Sequence, residues 1–150
     1  QIFATDISTL ALSKARKGVY SQFEIQRGLP VMLMLKYFDQ VDGDWVARDP
    51  VRKMVTFAQH NLLQSSRSLG QFDLVLCRNM LMYLCDDRRR DVLENLANAT
   101  APDGYLMLGA AETVIGQTSR FEASREFRGF YERSKAVPSG ALNLQVSRRS

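Results

Sequence analysis

Phe72-Asp73-Leu74-Val75-Leu76-Cys77 is a nearly continuous apolar run that stops abruptly at Arg78-Asn79. A short run of this kind, closed by polar residues, is expected of a parallel strand buried on both faces, where neither side chain direction meets water. Asp86-Asp87 then open a helical pattern to Ala99, with Val92, Leu93, Leu96 and Ala97 on one stripe. Acids in a first turn face the positive end of the helix dipole. Pro102-Asp103-Gly104 reads as a turn, and residues 105–109 as a further strand. Strand, helix, strand is a βαβ unit, and a fold built on such units is α/β with a mainly parallel sheet.

The N-terminal half repeats the theme. Residues 2–5 read as a strand ending at Asp6. Ser8 is the N-cap of a helix carrying Leu10, Leu12 and Ala15, with Lys14, Arg16 and Lys17 near its end and Gly18 as its stop. Residues 21–38 read as helix in two pieces, broken at Gly28-Leu29-Pro30 because Pro30 restricts Leu29 and donates no backbone bond. The second piece is dense in Met and Leu and is expected to pack inward. Asp42-Gly43-Asp44 is a turn. Residues 45–48 and 51–54 are expected to be two short strands of a small hairpin turning at Asp49-Pro50. Residues 55–58 form another strand, ending in His60-Asn61-Leu62-Leu63. A last strand is expected over 127–133, and the stretch 134–150 has no periodicity and is expected to be a loose tail.

Composition narrows the class. The 150 residues suit one domain, and 45% apolar with 24% charged residues is ordinary globular composition. No apolar run reaches the roughly 20 residues of a membrane helix, so membrane insertion is not expected. The start, Gln1-Ile2-Phe3-Ala4-Thr5-Asp6, has no basic region or cleavage pattern of a signal peptide. It reads as a strand entered without a lead-in, as a fragment would. The net charge of +4 favours an acidic partner or an anionic ligand, although simple solubility explains it equally well. Basic residues are scattered and are not interleaved with aromatics, which argues against nucleic acid. Cys77, Cys85 and His60 fit no familiar zinc spacing, so no metal is expected. Reduced, mostly buried thiols are the default for both cysteines and fit a cytoplasmic protein.

Ligands of open α/β sheets bind beyond the carboxyl ends of strands. Three such ends carry polar groups here: Asp6, His60-Asn61 and Arg78-Asn79. A carboxylate ending the second strand of a nucleotide-binding unit can accept both ribose hydroxyl protons, and an Asn carries a donor and an acceptor for an adenine edge. Asp6 could instead simply cap the helix, and Asn61 could be a turn residue. A guanidinium at Arg78 can fix a carboxylate through bidentate bonds, or serve a structural ion pair. On pattern alone Tyr83 and Trp45 read as packing residues. No Gly-rich loop precedes Asp6, where a complete cofactor-binding unit would carry one on its first strand.

Several blocks resemble the CheR-type chemoreceptor methyltransferases. Ala4-Thr5-Asp6-Ile7-Ser8 with Lys14-Ala15-Arg16-Lys17-Gly18-Val19-Tyr20 is similar to that family's second strand and helix. Leu35-Lys36-Tyr37-Phe38 and Asn61-Leu62-Leu63 resemble two further blocks. Phe72-Asp73-Leu74-Val75-Leu76-Cys77-Arg78-Asn79-Met80-Leu81-Met82-Tyr83 closely follows the family's CRN block, and Pro102-Asp103-Gly104-Tyr105-Leu106-Met107-Leu108-Gly109 with Glu112 resembles its glycine-turn strand. Tyr83-Leu84 departs from the usual Tyr-Phe ending. The similarity runs from Ile2 to about Arg133.

The resemblance implies a Rossmann-like class I methyltransferase fold, with helices on both faces of a mainly parallel sheet and a small β-hairpin subdomain at about 39–54. It implies a partial domain over 1–133, with the first strand unit and an N-terminal helical domain missing. It implies S-adenosyl-L-methionine as cofactor, S-adenosyl-L-homocysteine as product, and methyl ester formation on glutamates of a chemoreceptor's cytoplasmic helical domain, by a cytoplasmic monomer. By the same resemblance Asp6 binds the ribose, and Asn61 and Leu62 border the adenine. Cys77, Arg78 and Asn79 line the methionine side, and Arg78 and Tyr83 serve catalysis, Tyr83 near the transferring methyl. The hairpin is shorter than in members that dock on a receptor tether, which implies independence of that tether. A truncated relative acting as a non-catalytic binding module is the alternative. A methyltransferase acting on RNA or a small molecule, suggested only by charge, is disfavoured by the CRN block.

Overall fold

Each apolar run that ends in a polar pair becomes a strand in a parallel pair. In a computed structural model of the chain, residues 1–135 are described, so all but the first two residues of the expected tail at 134–150 lie outside the described residues. The chain divides into two units, Gln1–Gln64 and Ser65–Ser150.

In the first unit, β1 (Ile2–Asp6) pairs in parallel with β5 (Val55–Gln59), in a register running from Ile2 opposite Val55 to Asp6 opposite Gln59. Helix α1 (Thr9–Lys17) follows β1 as expected. The Ser8 hydroxyl accepts the Ala11 N–H at 3.2 Å, satisfying one of the helix's free donors. Gly18, at φ +63°, ends the helix in the left-handed conformation and returns its N–H to the carbonyls of Lys14 and Ala15. Helix α2 (Gln22–Gln26) opens on a reciprocal cap between Ser21 and Glu24. Lys14 also bonds Glu24, and together with the Ser21 bonds this holds the Glu24 carboxyl down at about 2.

Helix α3 (Val31–Tyr37) begins directly after Pro30, so the break expected at 28–30 is present. Its expected inward packing is not. Only Met34 is buried, while Val31, Leu33 and Leu35 are exposed and Met32 is 77% exposed. Met34, Ile25 and Trp45 form a small core of their own, with Tyr20 and Phe38 packed against it. Trp45 is therefore a packing residue, its indole N–H held by Gln22 at 2.6 Å.

The expected hairpin is displaced. Its strands are β3 (Phe38–Val41) and β4 (Asp44–Ala47), and they turn at Asp42-Gly43, not at Asp49-Pro50. Both turn residues have positive φ, 51° and 88°, the twist that a two-residue hairpin requires. β2 (Val19–Tyr20) adds a third antiparallel strand on the other side of β4. Residues 51–54 are not a strand, because Asp49 and Pro50 open the short helix α4 (Asp49–Arg52). Pro is as much at home in a helix's first turn, where its missing N–H costs nothing, as in a loop.

In the second unit, β6 (Phe72–Cys77) and β7 (Thr100–Leu108) are parallel, joined by α5 (Asp86–Ala99). The predicted stripe of α5 is the buried one: Val92, Leu93, Leu96 and Ala97 all lie inside, with Leu106 and Leu108 of β7 also buried. The turn expected at Pro102-Asp103-Gly104 is not formed: these residues are part of β7, and mark an irregularity where its register with β6 shifts. Gly104 is needed there because a Cβ would come within 2.9 Å of the Phe72 and Asp73 carbonyls. β9 (Phe130–Arg133) lies antiparallel beside β7, and β8 (Phe121–Ala123), which no pattern announced, beside β9. The order is β6-β7-β9-β8.

Two expectations need correction. The parallel pairs are β1–β5 and β6–β7, and every other pairing among the described residues is antiparallel, so parallel pairing does not predominate: the two-stranded sheet is parallel, the three-stranded one antiparallel and the four-stranded one mixed. β6 is not buried on both faces either: Val75 is half-buried and Cys77 buried, while Leu74 and Leu76 are exposed. Among the described residues no helix is long and apolar enough to cross a membrane.

Candidate functional site

Parallel pairing carries the polar strand ends of the first unit to one edge. The Asp6 carbonyl accepts the His60 N–H at 3.1 Å, so the ends of β1 and β5 are tied together and Asn61 follows directly. The Asp6 side chain is exposed, and its Oδ1 accepts the Ser8 N–H at 2.7 Å. Asp6 thus does not cap the helix, a role that Ser8 fills, but fixes the turn that leads into it, and this bond occupies only one carboxylate oxygen. Asn61 makes the expected turn as well: its Oδ1 accepts the Leu63 N–H at 3.0 Å and its carbonyl the Gln64 N–H at 2.8 Å. The amide hydrogens and the second lone pair of Oδ1 are not engaged by these turn bonds. Leu62 beside it is half-buried.

In the second unit β6 ends in register with β7, Cys77 opposite Leu108. Cys77 is buried, and burial, followed by the nearby Glu112 charge, pushes its thiol up to about 11. It is therefore an uncharged wall rather than a nucleophile. Cys85 is exposed, contrary to the expectation of two mostly buried thiols. At pH 8 Cys85 is expected to react with iodoacetamide while Cys77 reacts at least about a hundredfold more slowly. Peptide mass spectrometry over a time course measures this, and equal rates would contradict the burial of Cys77.

Beyond Cys77 the chain turns sharply. Asn79 has φ +58°, a left-handed conformation that Asn tolerates better than most residues. Arg78 is exposed and makes no hydrogen bond or ion pair among the described residues, so the structural salt bridge considered for it is absent. A short 3-10 turn (Leu81–Tyr83) follows, anchored by Leu81, which is 1% exposed. Tyr83 points out of it at 80% exposure and is not a core residue, as its apolar neighbours had implied.

Glu112 was singled out only as part of a motif, yet it organises this segment. Its Oε2 accepts the Asn79 and Gly109 N–H groups, both at 2.8 Å, and its Oε1 the Met82 N–H at 3.2 Å. Burial pushes the Glu112 carboxyl up, but the N–H groups of Gly109, Asn79, Met82 and Leu81 outweigh it and hold the group below the ordinary carboxylate range. It is therefore ionised at neutral pH. The local cue was its spacing, an acid three residues past the glycine that closes a strand.

Exposed polar groups beyond the carboxyl ends of parallel strands define a ligand-binding α/β domain. Residues 1–130 match the family described as CheR methyltransferase, SAM binding domain, and the chain belongs to that family. S-adenosylmethionine is accordingly the domain's cofactor and the class I methyltransferase fold its class. The chain is 40% identical over 125 residues to chemotaxis protein methyltransferase 1 of Vibrio cholerae, covering 83% of this chain and 46% of that protein. It is 39% identical to the chemotaxis protein methyltransferase of Vibrio anguillarum over the same shares. With chemotaxis protein methyltransferase 1 of Pseudomonas aeruginosa it shares 37% identity over 136 residues, 90% of this chain and 50% of that protein. The chain thus spans about half the length of the relatives it matches.

Proposed function

We propose that the full-length protein methylates glutamate side chains on the cytoplasmic helical domain of chemoreceptors, forming glutamyl methyl esters in chemotaxis adaptation. The observation that carries this reading is the family match over 1–130, which includes every strand-end group described above. The names of its relatives support the chemotaxis setting.

The residues present suit the cofactor. Asp6 retains a carboxylate oxygen beyond its Ser8 bond, the acceptor a ribose hydroxyl needs. Asn61 would offer its amide to the adenine edge, and Leu62 would supply an apolar wall to the ring. Asn79, Arg78 and the backbone at Cys77 line the methionine side. Arg78 and Tyr83, both exposed, orient the acceptor carboxylate. When bound, S-adenosylmethionine supplies an electrophilic methyl group. A glutamate is already ionised at pH 7, so no residue need act as base. What the chain's residues contribute is placement of the acceptor, the largest demand of such a transfer.

The proposal takes residues 1–133 as one methyltransferase domain with a small β-subdomain at about 39–54. It places the protein in the cytoplasm as a monomer that needs no receptor tether.

Incubating the full-length protein with radiolabelled S-adenosylmethionine and a chemoreceptor cytoplasmic fragment is expected to label the fragment with a base-labile methyl group. Folded protein that binds S-adenosylhomocysteine but transfers no methyl would overturn the assigned reaction.

A further inference from the structure

We infer that Glu112 and Arg89 form a two-sided positioning brace that sets the 78–84 segment, and with it Arg78, Asn79 and Tyr83, for ligand. A left-handed residue and a single 3-10 turn satisfy few of the segment's backbone groups internally: the turn's own bonds are Tyr83 N–H to Met80 and Leu84 N–H to Leu81, which leaves the Asn79 and Met82 N–H groups and the Leu84 carbonyl to be met from outside. One charged side chain of each sign closes that gap. The Glu112 carboxylate gathers the N–H groups of Asn79 and Met82, and also the Gly109 N–H at the end of β7. The Arg89 guanidinium donates to the carbonyls of Leu81 at 3.2 Å and Leu84 at 3.0 Å. Its third contact, to Asp86 at 3.1 Å, fixes the guanidinium to the first turn of α5. The segment is thus strung between the end of β7 on one side and α5 on the other.

Close packing secures the turn only at Leu81, which is 1% exposed. A cavity of about 230 Å³, bordered by Met82, Arg89, Glu112 and Gln117, lies against the turn. The Gln117 side-chain oxygen is buried with no partner among the described residues. With space beside Met82, the rest of the segment is located by hydrogen bonds and shifts when they are lost.

The role rests on the methyltransferase reading for its consequence but not for its geometry. Two measurements on the full-length protein separate the two. The first is amide exchange of the peptides covering 79–84, which needs no ligand. The second is calorimetric affinity for S-adenosylhomocysteine. Glu112→Gln keeps the size but replaces one acceptor oxygen by a donor facing N–H groups, and Arg89→Lys can serve only one carbonyl. Both are expected to speed exchange in 79–84 and to weaken S-adenosylhomocysteine about tenfold, with Glu112→Gln the stronger. The melting temperature is expected to stay within a few degrees, by the same order of loss.

Exchange in 79–84 that matches the wild type in both variants overturns the brace. So does an affinity per folded molecule equal to the wild type's. If the wild type itself binds no S-adenosylhomocysteine, the methyltransferase reading fails, and faster exchange in the variants still supports the brace.

Discussion

Gly109→Ala is expected to lower methyl transfer by about a hundredfold, the scale of a displacement of about 1 Å at a positioned group. Gly109 does not have positive φ, so the loss is a matter of space. A Cβ there would lie 2.8 Å from the Asn79 backbone nitrogen, 2.8 Å from Glu112 Oε2 and 2.9 Å from Asn79 Oδ1. The Asn79 nitrogen is backbone, and the Glu112 oxygen, although at a side-chain end, is tied down by the Asn79 and Gly109 N–H groups. Two belong to the Asn79 turn, and the third belongs to the carboxylate that holds it. The extra carbon must push Asn79 out of its bond to Glu112 or break the Gly109 bond to the same oxygen. Overpacking of this kind costs about 1–3 kcal/mol, which a denaturant titration of wild type and variant measures. A variant with wild-type transfer rate would show that Asn79 can move without consequence.

Asp6→Asn is expected to weaken S-adenosylhomocysteine binding by about ten- to a hundredfold, the range of hydrogen bonds to a charged group. The substitution suits the test because Asn keeps an Oδ1 that can still accept the Ser8 N–H, so the start of α1 is preserved. What it removes is the charge and one acceptor oxygen. Asp6→Ala loses the Ser8 bond as well, and is expected to show the same binding defect with a lower melting temperature. Isothermal titration of both variants separates ligand from fold. Affinity unchanged in Asp6→Asn would remove Asp6 from the cofactor site.

The particular elements explain how much was legible. Helix α5 could be placed residue by residue because its evidence is local: two acids, then four apolar residues repeating at the helix's own period. Helix α1 was legible for the same reason, through Ser8 and Gly18. The β3–β4 hairpin was misplaced because two neighbouring sequences both describe a turn. Asp42-Gly43 and Asp49-Pro50 differ only in which has φ positive on both central residues, and Pro50 serves a helix start equally well. Helix α3 was expected to be buried because all of its residues but Lys36 are apolar, a pattern that names no face. β8 is three residues long, too short for a period.

The candidate site divides along the same line. Asp6, Asn61 and Arg78 were visible as polar residues stopping apolar runs, a local contrast. That Asn61 Oδ1 bonds the Leu63 N–H, that Tyr83 is exposed and that Arg78 has no ion-pair partner among the described residues are consequences of how the chain closes on itself.

The chain's own pattern thus determined the strand–helix–strand units and the polar groups at their carboxyl ends, since both arise from interactions within a few residues. Tertiary structure alone decided what holds those groups in place. Glu112 lies 33 residues from Asn79, and its bond exists only because β6 and β7 align Cys77 with Leu108. A contact between residues so far apart depends on strand register and loop closure, which no local spacing encodes.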